Sequence, residues 1–596
     1  MSLLSRTTHL RLRRVWRRRQ KQVEAVTDAA EKQFDTNFIG RFDHLWHVRR
    51  FAFGWLLLAA LITGCTIVQT LSLSAYYQTT RPVPGGIYNE GIVGTYSNAN
   101  PIFATGSVDV AVSRLIFAGL FKYDNQNQLV GDLAQSYSVD TTGKHYVVKL
   151  RPNLTWQDGR ALTARDVVFT YQLIQNPDVN SPFMQAWQNI RISAPSKLTV
   201  DFDLPNAFAA FPYSLVSGIV PQHILANVPA SELRANSFNT TAPVGAGPFA
   251  WQAFQTSAIS DPDKAVSLIA LQPFDRYAGG APKLNGFVLH AFGSQDQLVQ
   301  AFQKRSINAM AGLNAVPASL QHAKGVNITS FPSTAAVMTF FKTTGGVLAD
   351  TQVRQALVRG ADTAAIMKGL GYPAKPVREP LLMGQLGYDP QYAQASYNPA
   401  AASTILSNDG WVVGADGIRT KDGQRLAFRL YAEDTPENRR TAQLLTADWR
   451  KLGVDATPVL QSLTDFQTTL EFHTYDALLY GISIGADPDV FAYWDSSQAD
   501  IRSTSRLNFS EYKSTAADTS LEAGRTRLDP ALRVIKYKPF LQAWQSDAPA
   551  LGLYQPRYLY ITRGTVYGLT DHTLNTDADR YESVANWEIN TAKVTD

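Results

Sequence analysis

The sequence predicts a mixed α/β protein with more than one domain, preceded by one membrane-spanning helix. Its 596 residues exceed the ~250–300 at which a single core usually divides. A hydrophobic fraction of 45% with 18% charged residues is typical of a globular chain and excludes a mostly disordered one. Strand-like alternation mixes with helical periodicity along the chain, and a charge-free run extends from Phe51 to Thr80.

The net charge of +5 comes from the leader. Residues 1–50 hold 12 Lys/Arg against 5 Asp/Glu, a balance of +7, so the rest of the chain carries a net charge of −2. A nucleic-acid-binding domain needs a basic face on its folded part. We therefore expect no nucleic-acid partner.

The apolar run predicts a transmembrane anchor over residues 51–77. At 1.5 Å per residue, a helix from Phe51 to about Leu73 covers the ~30 Å hydrocarbon layer. Arg49 and Arg50 precede the run and only Arg81 follows it closely. By the positive-inside rule, residues 1–50 form a basic cytoplasmic leader, and the C-terminal part lies in the periplasm or on the cell surface.

Cys65 leaves two ways of attaching the chain to the membrane open. It is the only cysteine, so disulfides and thiolate metal clusters are excluded. Ile62-Thr63-Gly64-Cys65 resembles a lipobox, in which Cys65 would be lipidated and the leader removed. The long leader and the apolar residues after Cys65 favour instead an uncleaved signal-anchor.

Local patterns place elements in the outer part. The RPVPGG segment predicts a linker over residues 78–86. A strand at His145–Arg151, a helix at Thr163–Ile174 with Thr163 as N-cap, and helices at Thr351–Lys368 and Pro436–Leu452 follow from alternation and periodicity.

Several ordered motifs beyond Ile87 resemble one family. They are Gly119–Thr170 (GLFKYDNQNQLVGDLAQ…RDVVFT), VGAGPF at Val244–Phe249, Asp350–Asp362, Tyr397–Trp411 and Ala415–Leu426. In this order they are similar to the family 5 solute-binding proteins of ABC importers, which include dipeptide-, oligopeptide- and nickel-binding proteins.

This resemblance implies a two-lobed periplasmic-binding-protein fold of the type II, large peptide-binding class. The domain limits it suggests are 87–340 for lobe I, with a family-specific subdomain at about 125–195, then 341–545 for lobe II and 546–596 for a C-terminal return to lobe I. Two hinge crossings would join the lobes.

The resemblance also implies a function without catalysis. The expected protein is a monomer that needs no cofactor and no metal. It captures peptides by lobe closure and delivers them to ABC permease subunits with cytoplasmic ATPases. A nickel chelate, haem, a sugar or another small molecule as ligand, or a role as a sensor, stay as alternatives.

The candidate ligand contacts lie in two segments. Leu478–Trp494 resembles the family stretch with an amine-binding aspartate and an aromatic wall, so Asp487, Tyr493 and Trp494 are candidates. The position four before Pro488, often acidic in peptide binders, is Ile484 here. As alternatives, Asp487 would cap a helix starting at Pro488, and the two aromatic residues would belong to the core.

A second segment, YSNANPIF, makes Tyr96 and Asn98 candidate contacts, with a turn role for Asn98 as the alternative. Lys342 also departs from the family pattern, in which an aromatic-Asn-Thr run is common.

Enzyme hypotheses have weaker support. GISIG at Gly481–Gly485 matches a nucleophile elbow with Ser483 as nucleophile and His572 downstream. The motif is short and lacks a recognisable oxyanion partner, so Ser483 is interpreted as a strand-end residue. The histidines beyond the anchor are widely separated and match no HExxH spacing.

Overall fold

A computed structural model describes residues 6–35, 49–257, 265–313, 315–370, 374–503 and 505–595. The chain forms two compact units, one of residues 1–81 with 591–596, the other of residues 82–590.

The first unit contains two long helices, Arg6–Phe34 and Arg49–Tyr77. Within the second helix, Phe51–Thr70 is long and apolar enough to cross a membrane, and none of this segment is buried in the protein. The segment expected to be a linker instead contains a strand, Gln78–Val83, which pairs with Asn590–Thr595. The two-proline linker is therefore hydrogen-bonded over most of its length.

The strands, labelled in chain order, are β1 (Gln78–Val83), β2 (Ile87–Val93), β3 (Phe121–Tyr123), β4 (Leu129–Gly131), β5 (Ala134–Val139), β6 (His145–Leu150), β7 (Arg191–Ser196), β8 (Thr199–Asp203), β9 (Phe249–Thr256), β10 (Val266–Pro273), β11 (Gly286–Phe292), β12 (Ala309–Leu313), β13 (Val326–Pro332), β14 (Ala335–Phe341), β15 (Lys375–Pro376), β16 (Val412–Val413), β17 (Arg419–Lys421), β18 (Gln424–Arg425), β19 (Ala427–Glu433), β20 (Asp455–Gln461), β21 (Ala477–Ser483), β22 (Ala550–Gln555), β23 (Arg557–Arg563) and β24 (Asn590–Thr595).

The α-helices of the second unit are Ser107–Ile116, Ala164–Gln175, Met184–Trp187, Gln222–Leu225, Gln295–Gln303, Thr351–Arg359, Thr363–Lys368, Pro399–Asn408, Pro436–Lys451, Leu463–Phe472, Phe491–Trp494, Thr515–Thr526 and Pro530–Asp547. Short 3-10 helices lie at Pro177–Val179, Phe211–Val216, Ala230–Ala235, Ser237–Asn239, Gly346–Ala349, Pro390–Tyr392, Ser496–Gln498, Asp577–Tyr581 and Val584–Asn586.

Two large sheets form the two lobes. Lobe I is built on a seven-stranded sheet in the order β13-β23-β12-β2-β11-β10-β9, and lobe II on a six-stranded sheet in the order β15-β22-β14-β21-β19-β20. Lobe I also contains a four-stranded sheet, β5-β6-β8-β7, whose strands β5 and β6 lie within the motif segment Gly119–Thr170. The architecture confirms the predicted two-lobed α/β fold.

Local chemistry explains the predicted helices. The carboxylate of Asp166 accepts hydrogen bonds from the N–H and Oγ1 of Thr163, which starts the helix Ala164–Gln175 as expected. The helix predicted over Thr351–Lys368 is two helices, because the chain breaks at Gly360 and Asp362 caps the second one through the N–H of Ala365.

The lobe II sheet is buried on both faces. Along β14, Val337 and Phe341 pack into one core, and Ala336, Met338 and Phe340 into the other. Residues of a strand alternate between its two faces. Apolar side chains on both faces therefore hold this strand at the centre of lobe II.

Candidate functional site

Strand direction places the carboxyl ends of the parallel strands of both lobes at the junction between them. In lobe I, β11 and β12 both run parallel to β2. In lobe II, β20 and β21 run parallel to β19, and Ala335 at the start of β14 lies opposite Ser483 at the end of β21. Ligands of open α/β sheets bind outside the carboxyl ends of the strands. The cleft between these two edges is the candidate site.

The chain crosses between the lobes twice. It enters lobe II through Ser333 and Thr334, between β13 and β14, and returns through Pro556, between β22 and β23. β14 thus belongs entirely to lobe II, whereas the expected limit fell at 340/341. The return crossing at Pro556 lies later in the chain than the expected limit of 545/546. The reason is that β22 still pairs with β14 of lobe II.

Thr334, in the first crossing, forms hydrogen bonds with residues of both lobes. Its N–H donates to Leu574 O at 2.9 Å, and its Oγ1 lies 3.2 Å from Asn575 Oδ1. Its carbonyl accepts from the N–H of Ile484 at 3.0 Å. The loop after β21 therefore begins directly at the hinge.

One cavity lies between residues that follow the parallel strands of each lobe. It has a volume of about 590 Å³. Lobe I contributes the helix after β11 and the segment after β12, and lobe II contributes the N-terminus of the helix after β19. The lining side chains are Gln295, Asp296, Val299, Gln300, Leu313, Ala315, Val316, Pro317, Gly369, Leu370, Pro436, Glu437 and Arg440. None of these residues was predicted from the sequence, in which their only distinguishing feature is that they follow the ends of strands.

A second cavity, of about 560 Å³, separates the small four-stranded sheet from lobe II. Here the Arg525 guanidinium lies over the rings of Phe491 at 4.1 Å and of Phe208, in lobe I, at 5.1 Å. The Arg525 carbonyl also accepts the N–H of Ala209 at 2.9 Å. Arg525 therefore links the two lobes directly.

Tyr96 and Asn98 lie on the loop after β2, at the cleft edge of lobe I. The Tyr96 hydroxyl donates to the carbonyls of Asn239 and Thr240 at 3.2 and 3.1 Å. Burial, and to a lesser extent the negative charge of Asp109, raise the pKa of Tyr96. Asn98 Oδ1 accepts the N–H of Asn100 at 2.8 Å. Asn98 thus has the turn role that the sequence left open, and a ligand contact of either residue stays a prediction.

Asp487 is engaged inside lobe II. Its two carboxylate oxygens accept hydrogen bonds from Arg533 Nη1 and Nη2 at 2.7 and 2.6 Å, and both side chains are buried. The helix-cap interpretation is wrong, because the next helix starts at Phe491 with Val490 as N-cap. Asp489 is likewise paired, with Arg525 at 3.1 Å, and burial raises its pKa.

The aromatic candidates differ from each other. Trp494 is fully buried, packed between Phe340 and Trp544 at ring distances of 5.7 and 5.9 Å, which is the core role left open by the sequence. Tyr493 is half-buried, and its hydroxyl donates to Ser483 O at 2.7 Å. Tyr493, like Phe491 in the same loop, therefore retains an exposed surface.

Ser483 has no catalytic setting. It ends β21, and no helix follows until Phe491, so the strand-turn-helix of a nucleophile elbow is missing. Both ring nitrogens of His572 lie within hydrogen-bond distance of the Thr570 and Asp579 carbonyls. In the described part of the chain, no three His, Cys, Asp or Glu side chains form a group able to hold a metal ion.

Lys342 stabilises lobe II. Its Nζ donates to His473 O at 2.9 Å and lies 3.1 Å from Glu511. Burial raises the pKa of Glu511, but hydrogen bonds involving His473, Thr344 and Lys342 outweigh it and bring the pKa to about 2. Lys342 thus has an internal structural role.

These features define a two-lobed binding protein with its cleft at a double hinge. The family model of the bacterial extracellular solute-binding proteins, family 5, matches residues 128–503. The chain belongs to this family of extracytoplasmic binding proteins of ABC importers, whose relatives are solute-binding proteins and not enzymes.

Curated relatives align over most of the chain. Oligopeptide-binding protein AppA of Bacillus subtilis (strain 168) is 25% identical over 519 residues, covering 84% of this chain and 92% of AppA. The dipeptide-binding protein of Escherichia coli (strain K12) is 25% identical over 495 residues, covering 77% and 87%.

Solved structures show the same fold. NikZ from Campylobacter jejuni, in complex with Ni(L-His), aligns with a TM-score of 0.70 and 23% identity, covering 84% of this chain and 99% of NikZ. AppA from Bacillus subtilis, in complex with a nonapeptide, aligns with a TM-score of 0.68 and 22% identity, covering 86% and 100%.

Proposed function

We propose that this chain captures peptides in the cleft between its lobes and delivers them to an ABC permease. The observation that carries the proposal is the meeting of the carboxyl-terminal strand edges of both lobes around a double hinge. A ligand in such a cleft touches both lobes only when they close, so binding shifts the population towards the closed state. Similarity to AppA favours a peptide as the ligand.

Recognition would rest on main-chain hydrogen bonds more than on a charged anchor for a free amine. Ile484 occupies the place where peptide binders often carry an acidic residue, and its side chain is buried. Asp487 and Asp489 are already paired with arginines. Main-chain contacts do not depend on ligand side chains, and this mode suits broad specificity.

The proposed location is outside the cytoplasmic membrane, on an uncleaved single-pass anchor. Large apolar side chains of the helix Arg49–Tyr77, among them Phe51, Trp55, Leu56 and Val68, are more than half exposed. An apolar helix that the described part of the protein leaves exposed is stabilised by lipid. This supports an anchor over a buried core helix.

A metal chelate is the second candidate ligand, supported by the similarity to NikZ with Ni(L-His). The chain would hold the chelating molecule and not the bare ion, since its described residues form no metal-binding group.

Native mass spectrometry of the chain from Gln78 onward, purified without refolding, distinguishes the peptide from the metal chelate as ligand. A ladder of co-purified peptide masses supports the proposal and gives the preferred length. A bound metal chelate, sugar or other small molecule would retain the family and overturn the peptide assignment. Adding a peptide mixture to chain stripped of ligand is the control for loss during purification.

A further inference from the structure

The leader helix Arg6–Phe34 has a composition that changes along its length. Residues 6–21 contain eight basic residues and no acidic one: Arg6, Arg11, Arg13, Arg14, Arg17, Arg18, Arg19 and Lys21. The following turns carry Glu24, Asp28 and Glu31. The basic residues are thus concentrated in the half that lies farther from the membrane helix in sequence.

An exposed apolar stripe runs along the same helix. Trp16, Val23, Val26 and Phe34 are 72%, 62%, 68% and 61% exposed. Their spacings of seven, three and eight residues correspond to about two, one and two helical turns. They therefore lie on one side of the helix, while Arg17, Lys21 and Ala25 follow one another at four-residue intervals along a different side.

We propose that this helix lies on the cytoplasmic surface of the membrane and binds anionic phospholipid headgroups. An amphipathic helix with Trp and Phe on one side and Arg17 and Lys21 on another is suited to the membrane interface. Clustered basic residues on an amphipathic helix attract anionic lipid. The membrane is close in the sequence, since the apolar helix begins at Arg49. This inference rests on the anchor topology proposed above.

The experiment uses the full chain with Cys65→Ser, so that a single introduced cysteine can carry an environment-sensitive fluorophore. Val26→Cys reports on the apolar stripe, and Ala25→Cys, one residue away and on the polar side, is the matched control. Each labelled chain is reconstituted in phosphatidylcholine vesicles with and without about 30% phosphatidylglycerol, the anionic lipid.

We expect the label at position 26 to shift to shorter wavelength and brighten about two-fold or more with the anionic lipid, and the label at position 25 to change little. About 0.5 M NaCl should reverse most of the effect, because salt screens charge attraction. Arg17→Gln, Arg19→Gln and Lys21→Gln together should abolish it.

Equal emission in both kinds of vesicle, or equal changes at positions 25 and 26, would overturn the proposal. So would cross-linking of position 26 between two copies in neutral vesicles, since the stripe would then bind a second leader helix. Flotation in high salt tests the anchor separately. A chain that floats only with anionic vesicles at low salt would lack the anchor while retaining the leader contact.

Discussion

At the residue scale, the loop after β21 is held by two arginines from the helices that follow it. Arg533 pairs with Asp487 and Arg525 with Asp489. Burial lowers the pKa of Arg533, but the adjacent Asp487 carboxylate outweighs it, so the pKa is raised overall. Removing one partner of such a pair leaves a buried charge uncompensated. The aspartates of this loop are therefore expected to affect folding first.

Asp487→Asn should lower the free energy of unfolding by roughly 3–5 kcal/mol, because Arg533 would keep its charge in a buried place. Chemical denaturation measures this. Asp500→Asn is the control, since Asp500 pairs with Arg502 on the surface and should cost at most about 1 kcal/mol. Unchanged stability with weaker ligand binding would instead restore Asp487 as a ligand contact.

Glu379 makes stability depend on pH. Its side chain is fully buried, its Oε1 has no hydrogen-bond partner among the residues that the structure describes, and burial raises its pKa from 4.5 to about 8. Between these two values the folded state keeps a proton that the unfolded chain has lost. The stabilisation that comes from this retained proton is therefore complete below about pH 4.5 and decreases as the pH rises towards 8.

Glu379→Gln should flatten this slope and raise the free energy of unfolding at pH 8 by ~1–3 kcal/mol, because no buried charge then has to form. Denaturation at a series of pH values provides the measurement. Glu471→Gln, which alters an exposed carboxylate paired with Arg506, should leave the slope as it is. Identical slopes in Glu379→Gln and the unmodified chain would contradict the assignment.

At the element scale, the helix Thr515–Thr526 carries the contact between lobes. Arg525, near its end, lies between one ring from each lobe, and its carbonyl binds the N–H of Ala209. Lobe closure is an equilibrium, so a contact present only when the lobes meet also contributes to apparent ligand affinity.

Phe208→Ala removes the lobe I ring while the Arg525–Asp489 pair remains. We expect apparent affinity to fall about 2- to 5-fold, the range of one cation–π contact, and the lobes of the ligand-free chain to lie farther apart. Titration calorimetry and small-angle scattering measure the two effects. Phe472→Ala, an exposed ring at a helix end, is the control, and an equal result for both variants would exclude the contact as a closure element.

At the scale of the whole molecule, lobe I is completed by residues distant in the chain. β23 lies between β12 and β13, and Arg580 and Tyr581 bind the buried carboxylate of Glu90 at 2.6 and 2.5 Å. Contacts between residues so far apart close large loops and form slowly. The C-terminal return is thus part of the fold of lobe I.

Membrane attachment is also a property of the whole chain. If the anchor is uncleaved, intact-mass analysis of membrane-extracted protein should find residues 1–596, and Cys65→Ser should leave mass and membrane association unchanged. The lipoprotein alternative would be established if the extracted chain starts at a lipid-modified Cys65. In that case Cys65→Ser would leave the chain unprocessed or release it from the membrane.

The sequence by itself determined the fold class, the apolar helix and the family, because these depend on periodicity and on ordered motifs that survive without contact information. It also selected the loops after β2 and β21 as candidate ligand contacts, and their contact with ligand stays a prediction. It did not determine which way the side chains on these loops point. Asp487 and Trp494 turned out to face the interior of lobe II.

Only the tertiary structure decided these orientations, because the partners come from distant segments. Arg533 follows Asp487 by 46 residues, and Phe208 approaches Arg525 from the other lobe. The crossings at Thr334 and Pro556, and the cavity after β11, β12 and β19, likewise depend on how the sheets are ordered. Strand order depends on long-range packing, and local residue propensities carry no information about it.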